Sequence, residues 1–212
     1  MTSSRRRLLA SLAGGVALGL GTGWVVPRSV HSPLEGIDEA AVTTPSTDPV
    51  AESETPYAVF QYEPVDGGSE FSPTSPINVV FPLEEATFDD VIDVFREANW
   101  SRQPGEYARY AYDRDTETWH RSHWSGAESV FGVVTRLHVR CWELAGTASI
   151  QAHVDTHAIP KHRIRSHSAA ATAISQMFAD DGWNVNPDDP ETMDLRNARP
   201  PDHAGRATVI RR

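Results

Sequence analysis

The residues best suited to chemistry are histidines, and seven of the nine lie between His120 and His167. Written as a β-strand, His153, Asp155 and His157 all point to one side, about 7 Å apart per step of two residues. A neighbouring strand paired in the register derived below sets His138 beside His153. Two or three imidazoles with a carboxylate are the donor types used by zinc, iron or manganese, and His162 or His167 is placed to close such a set from a following loop. The pattern has a plainer use. A polar sheet face needs His, Arg and Asp whether or not it binds anything, and Arg136 with Asp155 reads equally well as a salt bridge. No His-Glu-x-x-His spacing occurs, and three ligands in a row along one strand are usually too spread to chelate one ion.

The elements that must position these residues are legible around them. From Val133 to Leu144, one parity carries Val133, Leu137, Val139 and Cys141, and the other carries Arg136, His138, Arg140 and Trp142. From Thr147 to Thr156, Ala148, Ile150, Ala152 and Val154 alternate with Ser149, Gln151, His153 and Asp155. Joined by Ala145-Gly146, the two make a hairpin with one apolar and one polar face. Counting outward from a two-residue loop sets Arg136 opposite Asp155, His138 opposite His153, Arg140 opposite Gln151 and Trp142 opposite Ser149. The charge match of the first pair supports that register.

Upstream, Ile77 to Phe81 between Pro76 and Pro82 reads as a short buried strand. Thr87 caps a helix whose Phe88, Val91, Ile92, Phe95 and Ala98 recur at helical spacing, ending at Asn99-Trp100. Downstream, Ser166 or Ser168 caps a second helix with Ala170, Ala173, Ile174, Met177 and Phe178 as its stripe, and Gly182 is its left-handed stop. Residues 101–131 read as a strand from Tyr107 to Tyr112 and then an irregular or hairpin segment. Ala207 to Ile210 makes a last strand. The order predicts an α+β fold: a ferredoxin-like split βαβ sandwich, with an antiparallel sheet, both helices on one face, and an insertion after the first helix. Its other face is left exposed or covered by that insertion.

Other chemical candidates are weaker. Asp113 to Glu117 alternates carboxylates but lacks the glycine and distal glutamate of a calcium loop, so it reads as a solvated turn. Trp124-Ser125-Gly126 lacks the flanking glycines of a nucleophile elbow. Cys141 falls on the apolar parity, the place of a buried thiol. Trp119, Trp124 and Trp142 suit core packing or a ligand groove.

Composition and the N-terminus bear on location. Ser4-Arg5-Arg6-Arg7-Leu8-Leu9 leads into nineteen residues without a charge, Leu8 to Val26. Arg5 and Arg6 before an apolar run have the layout of a twin-arginine export signal, handled by the twin-arginine translocation machinery. The same run is long enough to touch or span a bilayer if retained, although its five glycines weaken a spanning helix. Residues 27–56 read as a disordered acidic linker, and 57–212 as a single domain. The net charge is −10 and the one lysine is Lys161, a surface suited to concentrated salt. Sign and screening both argue against nucleic acid as a partner. One cysteine permits no internal disulfide.

Four stretches together resemble the LssY C-terminal domain family: Ser75 to Phe81, the helix ending at Trp100, Arg136 to Trp142, and Gln151 to Thr156. The likeness covers roughly residues 75 to 183, and Asp202 to Thr208 is similar to tails of halophilic members. It implies no activity, because that family has no established catalytic residues to carry over. The expectation is an exported or membrane-anchored extracytoplasmic domain, on the outer face of the cytoplasmic membrane or secreted, acting as a binding or structural module without a cofactor. Its ligand, a cell-surface protein or small molecule, would meet the face bearing Arg136, His138, Arg140, Trp142 and Gln151. The alternative is a metal-dependent hydrolase with one transition-metal ion such as zinc, held by His138, His153, Asp155, His157 and His167.

Overall fold

The structure, a computed structural model, describes residues 57–65, 70–102, 109–128, 135–156 and 163–212. In chain order these form β1 (Phe60–Val65), β2 (Glu70–Pro76), β3 (Val79–Pro82), α1 (Phe88–Glu97), β4 (Ser101–Arg102), β5 (Tyr110–Asp113) and β6 (Thr118–Arg121). There follow β7 (Trp124–Ala127), β8 (Thr135–Leu144), β9 (Thr147–Thr156), β10 (Arg163–Ser166), α2 (Ser168–Asp180), β11 (Thr192–Asp194) and β12 (Arg206–Val209). The strands build two sheets. One has four strands in the order β2-β1-β5-β6; the other has eight, β11-β12-β3-β9-β8-β7-β4, with β10 also paired to β9.

The hairpin that carries the polar parity forms as counted. Ala145 and Gly146 both have positive φ, +47° and +72°, the two-residue turn whose twist suits flanking strands. Arg136 lies opposite Asp155, His138 opposite His153, Arg140 opposite Gln151 and Trp142 opposite Ser149. The apolar parity, with Val139, Cys141, Ala148, Ile150 and Ala152, packs in one core with Ile92 and Phe95 of α1 and Ile174 and Phe178 of α2.

Both helices are closed by local chemistry. Thr87 Oγ1 accepts the Asp90 amide at 3.2 Å, and Asp90 Oδ2 accepts the Thr87 amide at 2.8 Å, a reciprocal cap. At α2 the N-cap position falls on His167, which makes no side-chain cap bond; Ser166, one residue earlier, accepts the Ala169 amide on its Oγ at 2.9 Å instead. The C-termini are twins. Asn99 and Gly182 each turn left-handed, φ +60° and +88°. Trp100 N–H then donates to Phe95 C=O and Trp183 N–H to Phe178 C=O, both at 3.0 Å. Each Trp packs edge-on against the Phe five residues back, centroids 5.0 and 5.1 Å apart, so the Schellman contact doubles as core.

The ferredoxin-like α+β expectation is overturned. Twelve strands against two helices make the described chain mostly β, in two sheets rather than one. The last strand also departs from an antiparallel plan, since β12 pairs parallel with β3. The cause is local: after α2 the chain first lays down β11, then doubles back as an antiparallel hairpin into β12. The polar face is not open, because the four-stranded sheet lies over it. Ile77, Val80, Trp142, Leu144 and Val209 share a second core with Val59 and Ala111 on that side. Half of the covering sheet comes from β1 and β2, ahead of the first strand read from the sequence. Pro73 and Pro76 hide β2 from a strand reading, yet β2 is an edge strand, where a missing N–H costs no ladder bond.

Gly126 shows how tight the other side is. On β7 the Trp124 ring folds back across Gly126, and a Cβ there would overlap its six-membered ring. Trp124 is 5% exposed and stacks on Phe95 at 5.3 Å, so it has little room to yield. Gly126→Ala is expected to cost about 1–3 kcal/mol by overpacking, read as a lower urea midpoint with the helical circular dichroism retained.

Candidate functional site

Successive residues of one parity on β8 and β9 form a polar seam under the four-stranded sheet. His138, Arg140, Gln151, His153 and Asp155 are all buried. At the loop end the seam turns apolar with Trp142, whose indole N–H donates to His120 C=O on β6 at 3.0 Å, tying the two sheets. In the middle, Arg140 donates from one terminal nitrogen to Gln151 Oε1 and to Gln61 Oε1 on β1, each at 3.3 Å. Gln61 in turn donates to Thr74 Oγ1 on β2 at 2.9 Å. A chain of side-chain bonds therefore crosses from β9 through Arg140 into the second sheet.

Next along the strands, His138 and His153 stack face to face, centroids 5.4 Å apart and 14° from parallel. Both present Nε2 to Asp155: His138 to Oδ2 at 3.2 Å and His153 to Oδ1 at 3.0 Å. The backbone step between residues 153 and 155 is about 7 Å, so convergence is achieved by side-chain lean, not by the strand. Asp155 lies opposite Arg136 in register, yet its two oxygens meet imidazoles.

Proton placement in this group follows from donor counting. Arg140 has only donors, so Gln151 meets it with Oε1 and turns its amide nitrogen to His153 Nδ1, 3.0 Å away. Nδ1 then accepts and Nε2 carries the proton toward Asp155. Burial pushes the His153 imidazole below its ordinary pKa; the hydrogen bond and charge of Asp155 pull it back, and the Arg140 and His138 charges oppose protonation further.

Not every residue singled out from the sequence joins this group. Arg136 is half-buried at the outer end of the seam. His157 and His162 lie outside the described residues, as do Arg5, Arg6, the apolar run 8–26 and the linker 27–56. His167 belongs to another cluster. Its Nδ1 faces Ala152 C=O at 3.2 Å, and its ring meets His203 edge-on at 6.0 Å. His203 Nε2 bonds Asn197 Oδ1 at 2.7 Å, and Asn197 donates to Val59 C=O and Ile77 C=O. Asp202 sits at the start of α2, accepting from the Ser166 and Ser168 hydroxyls at 2.5 and 2.6 Å and the His167 amide at 2.7 Å. Partial burial would raise its carboxyl, but the serine hydroxyls and backbone amides outweigh that and hold it at about 2. This second group is a strut between the C-terminal segment, α2 and the inter-sheet core.

Cys141 is a buried thiol, its pKa pushed well up by burial. Asp113 accepts the Asp115 amide at 2.9 Å in the turn between β5 and β6, so the acidic run is a turn device. Gln61 and Thr74 were missed by sequence reasoning, since the strands carrying them were not read; the alternation of Phe60, Tyr62 and Gln61, Glu63 was the one available signal. Among the described residues, no helix is long and apolar enough to cross a membrane. Compared with family models, curated proteins and solved structures, the chain matches none, so the arrangement of His138, His153 and Asp155 is read on its own chemistry.

Proposed function

We propose that the chain is an exported or membrane-anchored extracytoplasmic domain that acts as a binding or structural module, not as a hydrolase. The observation that carries the location is Arg5-Arg6 ahead of the uncharged run Leu8 to Val26. The acidic, nearly lysine-free composition is in keeping with a salt-exposed compartment.

Burial supports the non-catalytic half. Hydrolysis needs a water and a scissile bond at the reacting groups, whereas His138, His153 and Asp155 are 4%, 6% and 5% exposed. The seam's polar atoms are directed at one another and at the second sheet, which is the arrangement of an internal fastening. A partner, whether a surface protein or a small molecule, would then meet a surface other than this seam.

Fractionation of the source cells tests the location. The wild-type chain is expected outside the cytoplasm, and Arg5→Lys with Arg6→Lys is expected to leave most of it inside. Unchanged export of the double variant, or a cytoplasmic wild type, overturns the reading.

A further inference from the structure

We propose that His138 Nε2, His153 Nε2 and an Asp155 carboxylate oxygen bind one divalent first-row transition ion, with zinc as the reference case. The ion fastens the open end of the β8–β9 hairpin.

The three ligand atoms already lie within 4.8 Å of one another. His138 Nε2 stands 3.2 Å from Asp155 Oδ2 and His153 Nε2 3.0 Å from Oδ1, so each imidazole is at the spacing of a neighbouring donor to one oxygen of the same carboxylate. Donors at about 2.1 Å from a metal stand roughly 3.0–3.4 Å apart in octahedral or tetrahedral geometry. Near-parallel rings bring both Nε2 edges to the same carboxylate. An ion would take the place of the imidazole proton now directed at Asp155.

Orientation is built in one layer further out. His153 Nδ1 lies 3.0 Å from the Gln151 amide nitrogen and 3.2 Å from its oxygen. The amide can therefore serve either tautomer: it donates when Nε2 holds the proton, and its oxygen accepts Nδ1–H when Nε2 holds a metal. Arg140 fixes Gln151, and Gln61 fixes Arg140. Outer partners of this kind set ring direction and ligand basicity. The donor set of two imidazoles and one carboxylate suits zinc, iron(II) or manganese(II) far better than calcium, which wants six or more oxygens. The Arg140 charge opposes a dication and sets the affinity below that of an all-anionic cage.

The consequence is mechanical. His138 and His153 are on opposite strands near their outer ends, at Thr135 and Thr156, so an ion joins β8 to β9 away from the turn. Binding to the folded chain alone raises stability with metal concentration. This stands apart from the export reading: a metal-free chain that is still exported sinks only the present proposal.

The test uses the full, untagged chain, stripped with chelator and titrated with Zn²⁺ by calorimetry, with Co²⁺ absorption as a second probe. One equivalent is expected to bind, with a rise in Tm and cobalt bands typical of nitrogen and oxygen ligation. His153→Gln and Asp155→Asn should weaken Zn²⁺ binding at least ~100-fold, and Gln151→Leu ~10–100-fold. Equal affinity in wild type and in folded His153→Gln, or several weak equivalents without a Tm rise, overturns the proposal. Should the ligand variants fail to fold, ¹⁵N spectra of the wild type decide. His138 and His153 Nε2 signals that do not respond to Zn²⁺ also overturn it.

Discussion

Trp142→Ala is expected to lower unfolding stability by about 3–5 kcal/mol, the range for truncating a large buried aromatic. Trp142 shares a face with Arg140 and His138, and on sequence alone that parity suggests a contact surface. In the folded chain it is 0% exposed and packs between the sheets with Ile77, Val80, Leu144 and Val209. Its indole N–H also satisfies His120 C=O across the gap. Truncation thus removes transfer free energy, leaves a cavity between two stiff sheets, and orphans a carbonyl. Trp142→Phe separates the contributions. It keeps most of the packing and should cost less, with about 1–3 kcal/mol attributable to the unpaired carbonyl. Urea unfolding followed by circular dichroism measures both. Against a typical stability of about 5–15 kcal/mol, the alanine loss would leave the domain marginal. A cost below about 1 kcal/mol would mean that the second sheet does not rest on Trp142.

The second large effect is a loss of stability in mild acid. Burial pushes His203 down from 6.5 to about 4, and the neighbouring His167 opposes its charge further, while Asp202 pulls the other way. Burial likewise lowers His167, against the pull of the Ala152 carbonyl and of Asp202, with Arg199 adding to the depression. Between pH 6.5 and about 4 the unfolded chain therefore holds more protons than the folded one. Stability is complete above 6.5 and falls as the pH drops through this window. The His203 shift alone corresponds to about 2–4 kcal/mol. Asp202 does not share the window, because a carboxyl held at about 2 loses its contribution only below the ordinary carboxylate range. Urea midpoints at constant ionic strength from pH 8 to 4.5 should show the slope. His203→Gln keeps a donor for Asn197 and removes the proton site, so its slope should be clearly shallower. A flat wild-type profile over that range would mean that His203 titrates as freely in the fold as out of it.

Much of the site was legible because its geometry is local. A two-residue turn and a two-residue period suffice to pair His138 with His153 and to set Asp155 on the same face. Helix ends were readable for the same reason, since Thr87, Asn99, Gly182 and their partners lie within five residues of one another. The lean that brings His153 and Asp155 together was not readable. Strand spacing holds them apart, and what turns their side chains inward is Arg140, Gln61 and Gln151 packed beneath a second sheet. Gln61 is 79 residues from Arg140 in sequence, and the edge strand β2 paired with its own is masked by Pro73 and Pro76.

From the chain by itself came the hairpin with its register, the capped start of α1 and the left-handed ends of both helices, because each rests on interactions between near neighbours. Tertiary structure alone decided that the fold is a two-sheet, mostly β architecture, and that its polar face is an interior. A strand's alternation states which residues share a side, but not what will lie against that side. Here the answer is a sheet built from segments on both sides of α1, and burial under it turns a row of surface-like residues into a closed His-Asp-His group.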